Sequence, residues 1–181
     1  EVVWLCNVLA IAGIAWLVNL YNFMDGTDGL AAIQTITTGS VSALLFLLSD
    51  QYTASVICLA IVFSTSGFLM WNWSPAKIFM GDVGSCSLGF TFGTLAVYGE
   101  VTGSMPFSIW LILLSVFISD ASFTLLKRMI SGQTWYRAHN SHAYQRLVQL
   151  GVSHEKLTVY VLLINLIIVA PLAYFVWKLP E

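Results

Sequence analysis

Side chains that can bind cations or nucleobases are concentrated in one short segment near the start of the chain. The segment at 19–29, with the sequence NLYNFMDGTDG, holds the amides Asn19 and Asn22 and the carboxylates Asp25 and Asp28. A helix cap needs only one side-chain oxygen, whereas these four groups can bind a hard cation or the edge of a base. The amide pair shares one helix face, and the carboxylate pair does so if the helix continues. The surplus of oxygen atoms favours a ligand site over a simple turn.

A second segment carries one more carboxylate among small residues. Residues 79–85, with the sequence FMGDVGS, place Asp82 between two glycines, which allow a ligand to approach the backbone closely. By itself this is also the pattern of a helix N-cap. Together with Asp25 and Asp28, however, Asp82 supplies the oxygen ligands that Mg²⁺ prefers in proteins. The ring of Phe79 can then stack on a planar base.

The third polar segment is basic and spans residues 127–156. It contains Arg137, His139, His142 and Arg146. Cations beside carboxylates indicate an anionic substrate, although a basic loop taken alone is equally typical of a surface that attracts anionic lipid. Zinc is disfavoured because no cysteine lies near the two histidines and the carboxylates suit a harder ion.

The rest of the chain is typical of a membrane protein. The sequence is 58% hydrophobic and 9% charged, with a mean hydropathy of +0.83, whereas soluble domains carry about 25% charged residues. Since about 20 apolar residues cross the hydrocarbon core, we predict six spans, at 2–20, 32–49, 53–72, 84–99, 106–127 and 156–177. The expected fold is all-α, a polytopic membrane helix bundle forming one domain over 1–181, with loops near 21–31, 73–83 and 128–155.

Six alternating spans place all three polar segments on one side of the membrane. The basic residues Lys77, Lys127, Arg128, Arg137, Arg146 and Lys156 fall on that side, and only Lys178 falls on the other. The positive-inside rule therefore predicts that this side is cytoplasmic. Ser85, Gly89 and Gly93 are spaced four apart in the fourth span, a pattern that allows close helix packing in lipid.

Three ordered motifs resemble those of the polyprenyl-phosphate N-acetylhexosamine-1-phosphate transferases. This is glycosyltransferase family 4, which is related to phospho-N-acetylmuramoyl-pentapeptide transferase. NLYNFMDGTDGLA is similar to the family's Asn-x-x-Asn-x-x-Asp-Gly-x-Asp-Gly-Leu segment, FMGDVGS to its Gly-Asp-x-Gly-Ser segment and RAHNSHAYQRL to its histidine loop. The stretch from WSPAKIF to HAYQRL resembles most the O-antigen or capsule branch, which uses deoxy-N-acetylhexosamine donors.

The resemblance implies an activity. Members of the family transfer a sugar 1-phosphate from a UDP-sugar to undecaprenyl phosphate and release UMP, which starts the synthesis of lipid-linked O-antigen, capsule or other cell-envelope glycans. The expected location is the bacterial cytoplasmic (inner) membrane, crossed several times, with the active site on the cytoplasmic face. The expected partners are the UDP-sugar, undecaprenyl phosphate and the lipid bilayer. Nucleic acid is not expected as a partner, and a homodimer is left open.

The same resemblance implies roles for individual residues. Asp82 and Asn22 would bind Mg²⁺, for which Mn²⁺ is an alternative, and Phe79 would stack on uracil. Asp28 with Gly29 would contact the pyrimidine edge. The residues expected to be catalytic are Asp82, Asp25, Asp28, His139 and His142. Asn19, Arg137 and Arg146 complete the expected substrate contacts, with the histidines and Arg137 holding the diphosphate or its sugar.

One departure from the family pattern concerns an adjacent aspartate pair that the family carries on an early cytoplasmic loop. This chain has no Asp-Asp, begins at Glu1 and has six predicted spans where the family has about ten or more. We therefore expect it to be the C-terminal part of a larger bundle and to be inactive alone. Two alternatives stay open, namely a transporter or channel and a catalytically inactive assembly subunit.

Overall fold

The computed structural model describes residues 2–130 and 143–179, and these residues are helical with no strand among them. The helices are α1 (Val2–Met24), α2 (Leu30–Leu48), α3 (Tyr52–Asn72), α4 (Gly81–Thr102), α5 (Phe107–Leu113), α6 (Ser115–Ile130), α7 (Ala143–Gln149), α8 (His154–Ile164) and α9 (Ala170–Lys178). A π-helical turn, Asn165–Val169, joins α8 to α9. The predicted all-α class is therefore confirmed.

Four stretches of the described residues are long and apolar enough to cross a membrane. They are Val3–Met24, Leu30–Leu48, Tyr52–Asn72 and His154–Lys178, and α5 with α6 makes a fifth if that bent pair is one span. The fourth predicted span, at 84–99, corresponds to α4, which at 22 residues is long enough to cross a membrane but is less apolar than the four stretches above. Its glycines, its serines and two carboxylates replace apolar side chains. The chain is a polytopic helical membrane bundle with a less apolar fourth helix.

The close pairing of α1 with α4 follows from small residues. A Cβ atom added at Gly89 would lie 2.5 Å from the carbonyl oxygen of Leu17 and 2.7 Å from the Cα atom of Val18. A Cβ atom at Gly93 would lie 3.1 Å from the Cα atom of Ile14. Because no side chain separates the two backbones, α1 and α4 pack closely, as the spacing of small residues predicts.

The predicted span at 106–127 is not a single straight helix. It is broken at Leu114 into α5 and α6, which are bent by 75° relative to each other. A glycine or proline usually marks a kink of this size, and the sequence around Leu114 has neither. The expectation of one continuous helix was therefore wrong, because the bend is fixed by neighbouring helices and not by a local sequence signal.

Helix α2 is the central element of the bundle. It is the most enclosed of the four spanning stretches and packs on α3, α8 and α9. At one end of the bundle, the segment after α1 contacts the loop before α4 and the starts of α7 and α8. Residues from all three polar segments therefore lie together at this end.

Candidate active site

Asn22 and Asp82 face each other where α1 and α4 meet. Asn22 Nδ2 donates a hydrogen bond to Asp82 Oδ1 at 2.9 Å and lies 3.4 Å from Ser85 Oγ. Asn22 is in the last two turns of α1 and Asp82 is in the first turn of α4, so the close packing at Gly89 carries both to the same point. The structure thus brings together the two residues that the sequence analysis proposed as metal ligands.

Asp25 lies just beyond the end of α1, on the side of Asp82. Burial raises the pKa of Asp25 to about 6; a hydrogen bond from the Gly81 backbone opposes this shift, and the charge of Asp82 adds to it. Because α1 ends at Met24, the helix does not continue through Asp28. The condition under which Asp25 and Asp28 would share a helix face is therefore not met, and the two carboxylates contact different parts of the molecule.

Asp28 joins three segments through its backbone and side chain. Its Oδ2 accepts a hydrogen bond from the backbone N–H of Ala76 at 3.1 Å, and its carbonyl oxygen accepts one from Thr158 Oγ1 at 2.8 Å. His154 Nδ1 lies 3.5 Å from Asp28 Oδ1. One carboxylate oxygen of Asp28 thus holds the loop before α4, and the predicted catalytic role of Asp28 stays a prediction.

Asn72 provides the second link between the same loop and the first polar segment. Its Oδ1 accepts a hydrogen bond from the backbone N–H of Gly29 at 2.9 Å, and its Nδ2 donates to the carbonyl oxygen of Ile78 at 2.8 Å. Gly29 has a φ of 73°, which a residue with a side chain rarely adopts. The sequence analysis missed Asn72, because a lone asparagine at the end of an apolar helix gives no signal of a partner 43 residues away.

Tyr144 connects α7 to the first polar segment. It is buried, and its hydroxyl donates a hydrogen bond to the carbonyl oxygen of Phe23 at 3.0 Å. A Cβ atom added at Gly26 would overlap that hydroxyl, so the glycine makes room for it. The start of α7 is also held by Asp120, whose Oδ1 accepts a hydrogen bond from the Ala143 backbone at 2.6 Å. The sequence analysis did not identify Tyr144.

The remaining predicted site residues are placed less centrally or are not described. Phe79 is 75% exposed, three residues before Asp82, so its ring is open to a ligand. Asn19 is exposed and donates to the carbonyl oxygen of Ala15 in its own helix. Arg146 is exposed on α7. Arg137, His139 and His142 lie outside the described residues, and their predicted roles stay predictions.

The donor set at this site is compatible with a hard cation. In the parts of the chain that are described, no three His, Cys, Asp or Glu side chains form a metal-binding group. A metal would therefore use a mixed set, in which the carboxylate of Asp82 and the carboxamide of Asn22 supply oxygen atoms and Asp25 stands nearby. Oxygen ligands of this kind suit Mg²⁺, so the residues fit the predicted ion.

Comparison with known proteins identifies the family. The sequence model of "Glycosyl transferase family 4" matches residues 1–100. These residues include the Asn22–Asp82 pair, and also Asp28 and Asn72 with the loop contacts described above. The chain belongs to glycosyl transferase family 4.

Relatives of the family support this assignment. The chain is 34% identical over 169 residues to a probable undecaprenyl-phosphate N-acetylglucosaminyl 1-phosphate transferase of Bacillus subtilis, covering 92% of this chain and 47% of the relative. It is 29% identical over 180 residues to a decaprenyl-phosphate N-acetylglucosaminephosphotransferase of Mycobacterium leprae, covering 86% and 44%. A phospho-N-acetylmuramoyl-pentapeptide-transferase of Lactiplantibacillus plantarum is 41% identical over 87 residues, covering 46% and 27%. The chain spans about half the length, or less, of these family 4 relatives.

The raised pKa of Asp25 gives a spectroscopic prediction for this family 4 site. We expect an infrared carboxyl band that is lost in Asp25→Asn to titrate near pH 6 in the full-length protein, because burial disfavours the charged carboxylate. In Asp82→Asn the same band should titrate at a lower pH, because the Asp82 charge contributes to the raised pKa. An Asp25 band that titrates near the ordinary value of about 3.9 would contradict the burial seen here.

Proposed function

We propose that the full-length protein transfers a sugar 1-phosphate from a UDP-sugar to a polyprenyl phosphate and releases UMP. The observation that carries this proposal is the contact between Asn22 and Asp82, residues 60 positions apart, within a chain of family 4. The printed names of its relatives describe transfer of N-acetylglucosamine phosphate to undecaprenyl or decaprenyl phosphate. The proposed location is the cytoplasmic face of a bacterial inner membrane, which the clustering of basic residues supports.

An open groove beside the site supports a lipid acceptor. The groove has a volume of about 760 Å³ and is lined mostly by apolar side chains, among them Met24, Val116, Phe123, Val161 and Ile164. It runs between α6 and α8, and Asp120 and Tyr144 also line it. An isoprenoid chain matches such a lining because burial of apolar surface favours its binding. We propose that the acceptor phosphate lies at the Tyr144 end, since Tyr144 contacts the segment that carries Asp25.

The chemistry assigned to the site is phosphoryl transfer, in which catalysis consists mainly of alignment and of neutralising negative charge. A bound Mg²⁺ would supply positive charge to the diphosphate, and Asp82 and Asn22 are the residues that would hold it. The exposed ring of Phe79 offers a stacking face for the uracil base. The contacts of Asp28 with Ala76 and of Asn72 with Ile78 keep the loop that carries Phe79 in place.

The third polar segment, residues 127–156, supports more specific proposals about the donor and its binding residues. We propose that Arg137, His139, His142 and Arg146 bind the diphosphate or the sugar. We also propose donors of the N-acetylhexosamine or deoxy-N-acetylhexosamine type for O-antigen, capsule or another cell-envelope glycan, because WSPAKIFMGDVGS and SDASFTLLKRMISGQTWYRAHNSHAYQRL together resemble that branch. Mn²⁺ is proposed as a substitute for Mg²⁺, since both ions take oxygen ligands.

The decisive experiment is a reconstitution assay. Full-length protein in liposomes is incubated with a panel of UDP-N-acetylhexosamines and undecaprenyl phosphate, and UMP and the lipid product are measured by mass spectrometry. We expect UMP release that requires both substrates and stops when EDTA removes the divalent ion. Movement of the nucleotide sugar across the liposome without UMP release would indicate a transporter instead. Nucleotide binding without turnover, restored by a separate aspartate-bearing chain, would indicate an assembly subunit.

A further inference from the structure

A chain of buried amide hydrogen bonds connects three helical segments in the middle of the bundle. Asn165 Nδ2 donates to Gln34 Oε1 and to Thr37 Oγ1, both at 2.9 Å. Gln34 Nε2 in turn donates to the carbonyl oxygen of Leu113 at 2.8 Å and to Thr38 Oγ1 at 3.0 Å. Gln34 is fully buried and Asn165 is 2% exposed. Neither residue has a place in the polar segments from which the site is built.

This hydrogen-bond network ends at two places where a helix is irregular, a bend and a π-helical turn. Leu113 is the last residue of α5, where the chain bends by 75° into α6, and Asn165 is the first residue of the π-helical turn after α8. Inside a membrane, a broken helix is tolerated only where neighbouring groups bond the backbone that the break releases. Gln34 Nε2 bonds the backbone carbonyl oxygen of Leu113 in this way, at 2.8 Å, which is within the usual range for such a hydrogen bond. The bend therefore depends on a side chain of α2, which explains why the sequence near Leu114 does not mark it.

The two helices that leave this network form opposite walls of the proposed lipid groove. Val116, Asp120 and Phe123 of α6 line one wall, and Tyr160 and Ile164 of α8 line the other. Ile164 is the residue directly before Asn165, and Val116 lies three residues after Leu113. The network thus lies at the start of α6 and at the end of α8, and so connects the two walls at one end of the groove. The angle of α6 at this point decides the distance between Phe123 and Tyr160 further along.

The same angle also affects the polar end of the bundle. Asp120 is carried by α6 and accepts the hydrogen bond from Ala143 at the start of α7. The next residue, Tyr144, donates to Phe23 beside the first polar segment. A rotation of α6 therefore moves Asp120, and through it Tyr144, at the end of the groove where we place the acceptor phosphate.

We propose that Gln34 and Asn165 are positioning residues that set the angle of α6 and, through it, the width of the acceptor groove. The hydrogen bonds described for their side chains go to each other, to Thr37, to Thr38 and to Leu113, and none goes to a residue of the candidate active site. The identity of the acceptor rests on the proposed function, whereas the mechanical role rests only on the hydrogen bonds and the bend. Loss of the pair should weaken binding of the lipid acceptor and leave binding of the nucleotide sugar unchanged.

The first test measures the groove directly. Spin labels are placed at residues 123 and 160, which are 65% and 54% exposed, in a full-length protein whose Cys6, Cys58 and Cys86 are replaced. Pulsed electron paramagnetic resonance then gives the distance distribution between α6 and α8. We expect Gln34→Met to broaden or shift this distribution. The double variant Gln34→Met/Asn165→Leu should do the same while staying folded, because removing both partners of a buried polar pair costs far less stability than removing one.

The second test separates acceptor binding from donor binding. In the variants we expect KM for the polyprenyl phosphate to rise about tenfold, as the loss of one buried hydrogen bond suggests, while KM for the UDP-sugar stays within about twofold. The matched control is Ser55→Ala, which removes a 2.8 Å hydrogen bond from a buried side chain to the Ala43 backbone, away from the bend. It should alter neither the distance distribution nor either KM.

The possible results can be told apart. An unchanged distance distribution in Gln34→Met and in the double variant overturns the inference, whatever the activity. A changed distribution with an unchanged acceptor KM overturns the link to the groove. If the wild-type protein shows no transfer but the distribution changes as expected, the positioning role is supported and the proposed function fails.

Discussion

Asp82→Asn in the full-length protein should abolish sugar-1-phosphate transfer, with a loss of roughly 10³-fold or more if Asp82 supplies a charged ligand for the metal. The substitution removes one negative charge and changes the size of the side chain very little. The carbonyl oxygen of the new amide can still accept the hydrogen bond that Asn22 donates at 2.9 Å, so the charge is the main loss. The checks are the rate of UMP release and the amount of protein recovered in the membrane. Membrane insertion should be normal, because Asp82 is exposed at the end of its helix.

The matched control for this prediction is Asp50→Asn. Asp50 is exposed, lies at the other end of the bundle and has a φ of 58°, a conformation that asparagine adopts as readily as aspartate. This variant removes the same charge and should keep full activity. Near-normal turnover by Asp82→Asn, or an equal loss in both variants, would remove the metal assignment of Asp82.

Gly89→Ala is the second substitution for which we expect a large effect. The new methyl group would lie 2.5 Å from Leu17 O, 2.7 Å from Val18 Cα and 2.9 Å from Leu17 C. All three are backbone atoms, so no side chain can move aside and α1 must separate from α4. We expect a loss of stability of about 3 kcal/mol, at the upper end of the usual cost of overpacking. A loss of activity should accompany it, because Asn22 and Asp82 are held together by the same helix pair.

The measurement is unfolding of the purified protein by increasing SDS in mixed micelles, followed by circular dichroism. Gly67→Ala is the control, since a Cβ atom at Gly67 of α3 would meet nothing within 4 Å. Alanine there should be neutral or slightly stabilising, because it has the higher helix propensity. If Gly89→Ala unfolds at the same SDS fraction as Gly67→Ala, then α1 and α4 do not pack as closely as described.

Several features of this structure could be predicted from local sequence patterns. The apolar runs predicted the helices, and their order predicted that the polar segments share one end. The spacing of Ser85, Gly89 and Gly93 predicted close packing, because small residues four apart present a flat helix face. The motif that contains Asn22 and the motif that contains Asp82 were predicted to meet, and the structure places these residues 2.9 Å apart.

The features that were missed depend on contacts between distant parts of the chain. Asn72, Tyr144 and Thr158 give no local signal, since each contacts the first polar segment across 43 to 130 positions. The bend at Leu114 has no glycine or proline to mark it, because its released carbonyl is bonded by Gln34 from another helix. The sequence left open whether Asp25 and Asp28 share a helix face, and the end of α1 at Met24 separates them. Residues 137–142 of the histidine loop lie outside the described residues, so the predicted roles of Arg137, His139 and His142 are untested.

Gly26 and Gly89 are both crowded, but they differ in the kind of atom that obstructs a side chain. At position 26 the closest obstructing atom is the hydroxyl of Tyr144, so a phenylalanine at 144 would remove the overlap with an alanine at 26 and leave a tight contact of 3.2 Å with the ring. At position 89 the obstructing atoms belong to the main chain, which every amino acid shares. Positions 26 and 144 can therefore drift as a correlated pair, whereas no second-site exchange of a single side chain can rescue position 89.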